Sequence, residues 1–278
     1  MQVLAIVPMK HMDRDIENSM FAGLDVGSRT SKAVLLDTHG IVGSAVIPTG
    51  ANPRQTGEAV LTQALEACGG KSEQVKYVVG TGYGRVNLPF ADRTVTELTC
   101  HAKGAYFHDP RIRTVIDIGG QDSKVIRIDE NGNMLDFSLN DKCAAGTGRF
   151  LEVMARAMEL DVAELGHCAL SSHNHCPITS ICAVFAESEV ISLLASGQEK
   201  NDVAAGLHRA IAQRVGNMAL RVGIEAETAF VGGVARNPGV AAMLEDFLGI
   251  RFIPDFADPQ LNGAVGAAVL ARETFYGK

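Results

Sequence analysis

The chain has 278 residues, more than one small domain needs and enough for two of roughly 100–150 residues each. With 46% hydrophobic and 21% charged residues, both halves can bury a core, which excludes an extended disordered chain. A formal charge of −7 excludes a general nucleic-acid or membrane-surface binder, and no apolar run reaches the about 20 residues of a membrane span.

Residues 1–20 open with a short apolar run, Val3 to Val7, followed by Lys10, His11, Asp13, Arg14 and Asp15. A secretory signal needs an apolar core of about 7–15 residues, so this segment reads as an extension, with Met20 an alternative start and the cytoplasm the expected compartment. Residues 25–40, DVGSRTSKAVLLDTHG, then read as a strand, a tight glycine turn, a second strand and another turn. Residues 53–68 have the pattern of an amphipathic helix, and Val75 to Val79 that of a strand ahead of the Gly80-Thr81-Gly82-Tyr83-Gly84-Arg85 loop. Residues 94–107 are helical in pattern, with Cys100 and His101 inside.

Residues 117–132, DIGGQDSKVIRIDENG, repeat the first hairpin at an offset of 92. The copies share Asp25/Asp117, Gly27/Gly119, Ser31/Ser123, Lys32/Lys124, Asp37/Asp129 and Gly40/Gly132. Further on, residues 149–160 and 183–195 carry apolar side chains near the helical period. Between them, the stretch from Gly166 to Pro177 holds His167, Cys168, His173, His175 and Cys176 and reads as a solvated loop. Ala229 to Val231 form a short strand running into Gly232-Gly233, and residues 262–272, rich in Ala and Gly, a close-packing helix.

Two related hairpins imply two similar lobes facing a nucleotide cleft, an α/β fold. Glycines let backbone N–H groups approach phosphate oxygens, and hydroxyls add donors. Ser28, Arg29, Thr30, Ser31 and Lys32, with Gly119, Gly120 and Asp122, are therefore candidates to surround the phosphates of ATP. Asp25 and Asp117 suit Mg²⁺ held through water, since that ion keeps much of its hydration. Gln121 is a candidate to orient the attacking water, or else a phosphate or structural contact. Lys32 and Lys124 read equally as site residues and as solvated strand ends. Gly232 and Gly233 offer bare backbone to an adenosine.

The blocks GTGYGR (80–85), TELTCHAKGA (96–105), VIDIGGQDSK (115–124), NDKCAAGTGRFLEVMA (140–155), SICAVFAESEVIS (180–192) and VGGVARN (231–237) resemble the activators of 2-hydroxyacyl-CoA dehydratases. Their relatives are the ATPase subunits of benzoyl-CoA reductase, within the actin, Hsp70 and sugar kinase superfamily. The resemblance runs from about Phe21 to the C-terminus and implies an actin-like ATPase fold of two ribonuclease-H-like lobes. Lobe I is expected over 21–110, completed by 261–278, and lobe II, with the cluster ligands and adenosine motif, over 111–260.

The resemblance also implies a homodimer with one [4Fe-4S] cluster at the subunit interface, ligated by Cys143 and Cys182 of each chain, and places Gln260 at the nucleotide. Both cysteines precede helical segments, whose free N–H groups and positive dipole end favour an anionic cluster. Buried packing is the expectation for Cys68 and Cys100. Cys168 and Cys176 leave a second option, a metal site within one chain using Cys143, Cys182 or the histidines.

The implied function is ATP-driven transfer of one electron from a reduced ferredoxin or flavodoxin to a 2-hydroxyacyl-CoA dehydratase. Three alternatives stay open here: an ATPase subunit of a benzoyl-CoA reductase complex, a cluster-free sugar kinase, and an actin-like scaffold.

Overall fold

The computed structural model describes residues 19–174, 176–179, 182–254 and 258–277; His175, Ser180 and Ile181 of the motifs above, and residues 1–18 of the extension, lie outside them. The chain divides into two compact units, one holding the residues through Val95 together with those from Ala267 onward, the other Thr96–Gly266.

In the first unit, β1 (Met20–Val26), β2 (Thr30–Leu36) and β3 (Ile41–Pro48) form an antiparallel meander. Helix α1 (Pro53–Cys68) then carries the chain back to β4 (Val75–Thr81), which runs parallel to β1, and a two-residue β5 (Arg93–Thr94) completes the order β3-β2-β1-β4-β5. β1 begins at Met20, which pairs with Val75, so the first strand starts at the last residue of the expected extension. All but the first residue of β1 are buried, as a central strand covered on both faces requires. Its core joins Ala22, Leu24, Ala33, Leu35, Val60 and Ala64.

Local chemistry sets the ends of α1. Asn52 accepts from the Gln55 N–H, Pro53 occupies the first turn, and Gly69 closes the helix at φ 65°.

The second unit repeats the plan. Helix α2 (Glu97–His108) precedes β6 (Thr114–Ile118), β7 (Ser123–Ile128) and β8 (Met134–Asn140), and β9 (Thr228–Val231) returns parallel to β6. The order β8-β7-β6-β9 matches β3-β2-β1-β4. A larger insertion lies between β8 and β9: α3 (Gly148–Ala157), α4 (Leu165–Leu170), α5 (Ala183–Ala195) and α6 (Lys200–Val222). Helix α7 (Pro238–Leu248) follows β9 and has the ends of α1, with Asn237 capping the start, Pro238 in the first turn and Gly249 at φ 66°. Helix α8 (Asn262–Phe275) ends the described chain.

The expected hairpins and helices are present, with two differences. The 23-residue α6 is not marked by the sequence patterns above, and it supplies Val203, Leu207, Ile211, Val215 and Met218 to the main core. The histidine-rich stretch is only partly a solvated loop: His167 and His173 are exposed, but residues from Leu165 form α4 and Cys176 is buried. No helix among the described residues is long and apolar enough to cross a membrane.

Candidate functional site

Each unit carries the same arrangement around its hairpin. In the first, Asp25 stands one residue from the end of β1, opposite Lys32 on β2 and Thr81 on β4. Lys32 Nζ donates to Asp25 Oδ2 at 3.1 Å. The turn between them closes with the Gly27 N–H on the Thr30 carbonyl at 3.2 Å. Ser28 and Arg29 are exposed at its tip, Thr30 is half-buried, and Ser31 is fully buried. The Ser31 hydroxyl is 2.8 Å from Thr49 Oγ1, which donates to the Gly27 carbonyl at 2.8 Å. Ser31 thus stitches its own turn together.

In the second unit Asp117 stands one residue from the end of β6, opposite Lys124 and Val231. The turn closes with the Gly119 N–H on the Asp122 carbonyl at 3.0 Å. Gly120 is half-buried behind it and Gln121 is exposed at the tip. Lys124 meets three carboxylates: Asp117 at 3.0 Å, Asp122 at 2.7 Å and Glu97, at the start of α2, at 3.0 Å. Neither lysine is a solvated strand end. Burial by itself would depress the Lys124 ammonium, but the three carboxylates outweigh it and hold the group well above its usual range. Burial likewise raises the Asp122 carboxyl, and Lys124 offsets only part of that.

His101 stands one helical turn after Glu97 on α2 and is buried behind this cluster. The Asn262 amide nitrogen donates to the His101 carbonyl at 3.0 Å and faces His101 Nδ1 at 3.2 Å. The other ring nitrogen, Nε2, lies 3.7 Å from Asp117 Oδ2.

The parallel strands supply a further match, between two glycine loops that the sequence presents separately. β4 runs into Gly82 at φ 87° and ψ 176°, and β9 into Gly232 at φ 88° and ψ 174°. Each begins a short 3₁₀ turn, and a Cβ at either would collide with the local aspartate, Asp25 or Asp117. Only glycine allows that left-handed, close approach. In the second unit Gly233 also lies against Gln260, and the Gly232 N–H donates to the Pro259 carbonyl at 2.9 Å. Asp117, Gly232, Gly233 and Gln260 are therefore brought together.

Cys143 is half-buried in the loop after β8, against the main core, and Cys182 is exposed at the cap position of α5. The Cys182 side chain itself makes no capping hydrogen bond to α5. Cys68 is half-buried and Cys100 fully buried. Cys176 donates to Gln198 Oε1 at 3.2 Å; burial first, and Asp202 second, push its thiol up. Among the described residues, no three His, Cys, Asp or Glu side chains come together as a metal site.

The model of the BadF/BadG/BcrA/BcrD ATPase family matches residues 22–271. The 2-hydroxyisocaproyl-CoA dehydratase activator of Clostridioides difficile is 48% identical over 255 residues, spanning 90% of this chain and 93% of the relative. A benzoyl-CoA reductase subunit of Thauera aromatica is 31% identical over 258 residues, 89% of this chain and 91% of the relative. Among solved structures, component A of the Acidaminococcus fermentans (R)-2-hydroxyglutaryl-CoA dehydratase matches with a TM-score of 0.88 at 44% identity, covering 92% of this chain and 98% of its own. The activator of the Clostridium difficile 2-hydroxyisocaproyl-CoA dehydratase, solved with bound ADPNP, gives 0.87 at 45% identity, covering 93% and 98%. The ethanolamine utilization protein EutJ of Carboxydothermus hydrogenoformans, at 0.59 and 15% identity, shares the fold alone. The α/β fold is accordingly the actin-like ATPase fold. Because the match runs through both hairpins, both glycine turns and both cysteine loops, the chain belongs to the BadF/BadG/BcrA/BcrD ATPase family.

Proposed function

We propose that the chain is a cytoplasmic, ATP-dependent activator that delivers one electron from a reduced ferredoxin or flavodoxin to a 2-hydroxyacyl-CoA dehydratase. A [4Fe-4S] cluster shared by two copies of the chain supplies the one-electron couple when bound. The observation that most supports this reading is a backbone join inside the second unit. At the start of α3, the Gly148 and Arg149 N–H groups donate to the Gly119 and Gly120 carbonyls at 2.9 and 2.8 Å. These are helix-terminal donors that would otherwise lack partners. The turn assigned to the phosphates and the helix following the Cys143 loop are thus directly hydrogen-bonded, so a shift of the turn is passed to the end of the cysteine loop.

In this reading Asp25 and Asp117 hold Mg²⁺ through water, and Ser28, Arg29, Thr30, Ser31 and Lys32 with Gly119, Gly120 and Asp122 frame the phosphates. Gln121, exposed at the tip of its turn, orients the attacking water. Gly232, Gly233 and Gln260 take the adenosine. The relative solved with ADPNP supports the assignment of a nucleotide.

The cysteines fit the cluster chemically. Cys182 is exposed at the start of a 13-residue helix whose positive dipole end favours an anionic group. Cys143 and Cys182 make two thiolates per chain, and a cubane takes four, which a two-fold related copy completes. Val184 and Phe185, each 67% exposed, and Ile191 lie on the same helix as apolar surface for such a copy to cover. The higher identity to the dehydratase activator than to the reductase relative favours the first partner class. Co-purification separates them, since an activator is isolated as a free dimer and a reductase component in its complex.

The test is anaerobic purification of the chain and of Cys143→Ser, with nucleotide binding, ATP hydrolysis and electron delivery to a dehydratase measured for both. The variant is expected to bind nucleotide and deliver no electrons. Delivery at the wild-type rate by Cys143→Ser would falsify the reading.

A further inference from the structure

A side chain outside every site assignment above holds the Cys143 loop. Asn140 closes β8, and its Nδ2 donates to the Cys143 carbonyl at 3.0 Å and to the Ala145 carbonyl at 3.2 Å. Its Oδ1 accepts from an Arg214 guanidinium nitrogen at 3.4 Å, reaching across from α6. The Arg214 stem lies over Gly146, which sits at φ 85°; a Cβ there would come within 3.2 Å of Arg214 Cδ. Arg214 Nε is buried without a partner, and no carboxylate pairs with the guanidinium among the described residues. Its charge is left to act on the loop.

Peptide planarity sets the consequence. A trans peptide points its carbonyl and its N–H in opposite directions. With the Cys143 and Ala145 carbonyls drawn to Asn140, the N–H groups of Ala144 and Gly146 are turned away from it. Neither donates to an acceptor among the described residues. Open backbone amides of this kind carry partial positive charge and attract anions.

We propose that Asn140 and Arg214 are positioning residues that set the Cys143 loop and raise the reduction potential of the thiolate-bound cluster. This rests on the cluster reading above. Reduction adds one electron from the donor protein and so one negative charge to the bound group. Open amides and an uncompensated cation nearby stabilise the more negative form, and hydrogen bonds and charge at the sulfurs are known levers on such potentials. Neither residue transfers the electron.

The test uses the full chain, purified without oxygen, as wild type, Asn140→Ala, Arg214→Met and Arg214→Lys. Iron content, the paramagnetic resonance of the reduced protein and the midpoint potential are measured on each. Arg214→Met keeps the stem over Gly146 and removes the charge. It is expected to retain iron and lower the reduced-to-oxidised ratio at fixed potential about tenfold, a shift of about 59 mV for one electron. Arg214→Lys restores most of that shift. Asn140→Ala moves the potential in the same direction and changes the resonance line shape; if it fails to fold, the two Arg214 variants still decide. Iron-loaded Arg214→Met with the wild-type potential and line shape overturns the proposal while leaving the cluster reading intact. Wild-type protein that never holds iron overturns the cluster reading, and this proposal with it.

Discussion

The two hairpins share a backbone and differ in what surrounds it. Asp25 and Asp117 occupy the same register, face equivalent lysines and are overhung by equivalent glycine turns. In the first unit the residue just past the third strand, Thr49, folds back onto the hairpin, bonding Ser31 and the Gly27 carbonyl. In the second, Asn140 ends the third strand, lies 3.4 Å from Ser123, the counterpart of Ser31, and reaches forward to the Cys143 loop. One copy closes on itself, and the other is wired to the inserted helices. The charges differ in the same sense: Lys32 meets Asp25, whereas Lys124 meets Asp117, Asp122 and Glu97. A duplicated element keeps its geometry and diverges through its neighbours.

The largest stability difference is expected from the lysines. Lys124→Met leaves Asp117 buried next to two further carboxylates without their cation, and should destabilise the protein by about 3–5 kcal/mol. Lys32→Met, beside a single carboxylate, should cost less, about 1–3 kcal/mol. Denaturant midpoints of the two variants measure the difference, and equal losses would remove the charge asymmetry from the account.

The glycine turns should behave alike. Gly82→Ala and Gly232→Ala each force a Cβ into the left-handed region and against an aspartate, with an expected loss of about 1–3 kcal/mol apiece. A loss at only one of them, in thermal or denaturant unfolding, would break the equivalence of the two turns.

The smallest effect separates the capped helices α1 and α7. Behind Asn237, but not behind Asn52 among the described contacts, stands a buried histidine: His208 Nε2 is 3.1 Å from Asn237 Oδ1 and Nδ1 is 2.8 Å from the Ala204 carbonyl. Burial holds this imidazole below its ordinary value of 6.5, against the raising effect of those two contacts. The unfolded chain therefore takes up the proton first as pH falls, and stability declines below about pH 6.5. Unfolding midpoints at about pH 7.5 and 5.5 should differ less in His208→Gln than in wild type. An unchanged pH dependence would place the titration elsewhere.

Much of this was legible in the sequence because its signals were local. The 92-residue repeat exposed the paired Asp and Lys positions, and the amphipathic pattern of residues 53–68 matched α1. Helix α6 is not among the sequence patterns above, and it carries Gly206 and Gly216 in its interior. In the fold they are contact points, Gly206 under the Cys176 carbonyl and Gly216 under the Phe247 ring. Glu97, His101 and Arg214 could not be assigned from spacing, since each acts across tertiary packing on a residue distant in sequence. The equivalence of Gly82 and Gly232 was faint because, beyond the glycines, those turns share little but Asn87 and Asn237.

The most direct measurement is iron and acid-labile sulfide per chain, with the native mass, after purification under strict exclusion of oxygen. About two irons and two sulfides per chain in a dimer, lost in both Cys143→Ser and Cys182→Ser, is the expected result. An iron-free monomer that cannot be reconstituted would contradict the account.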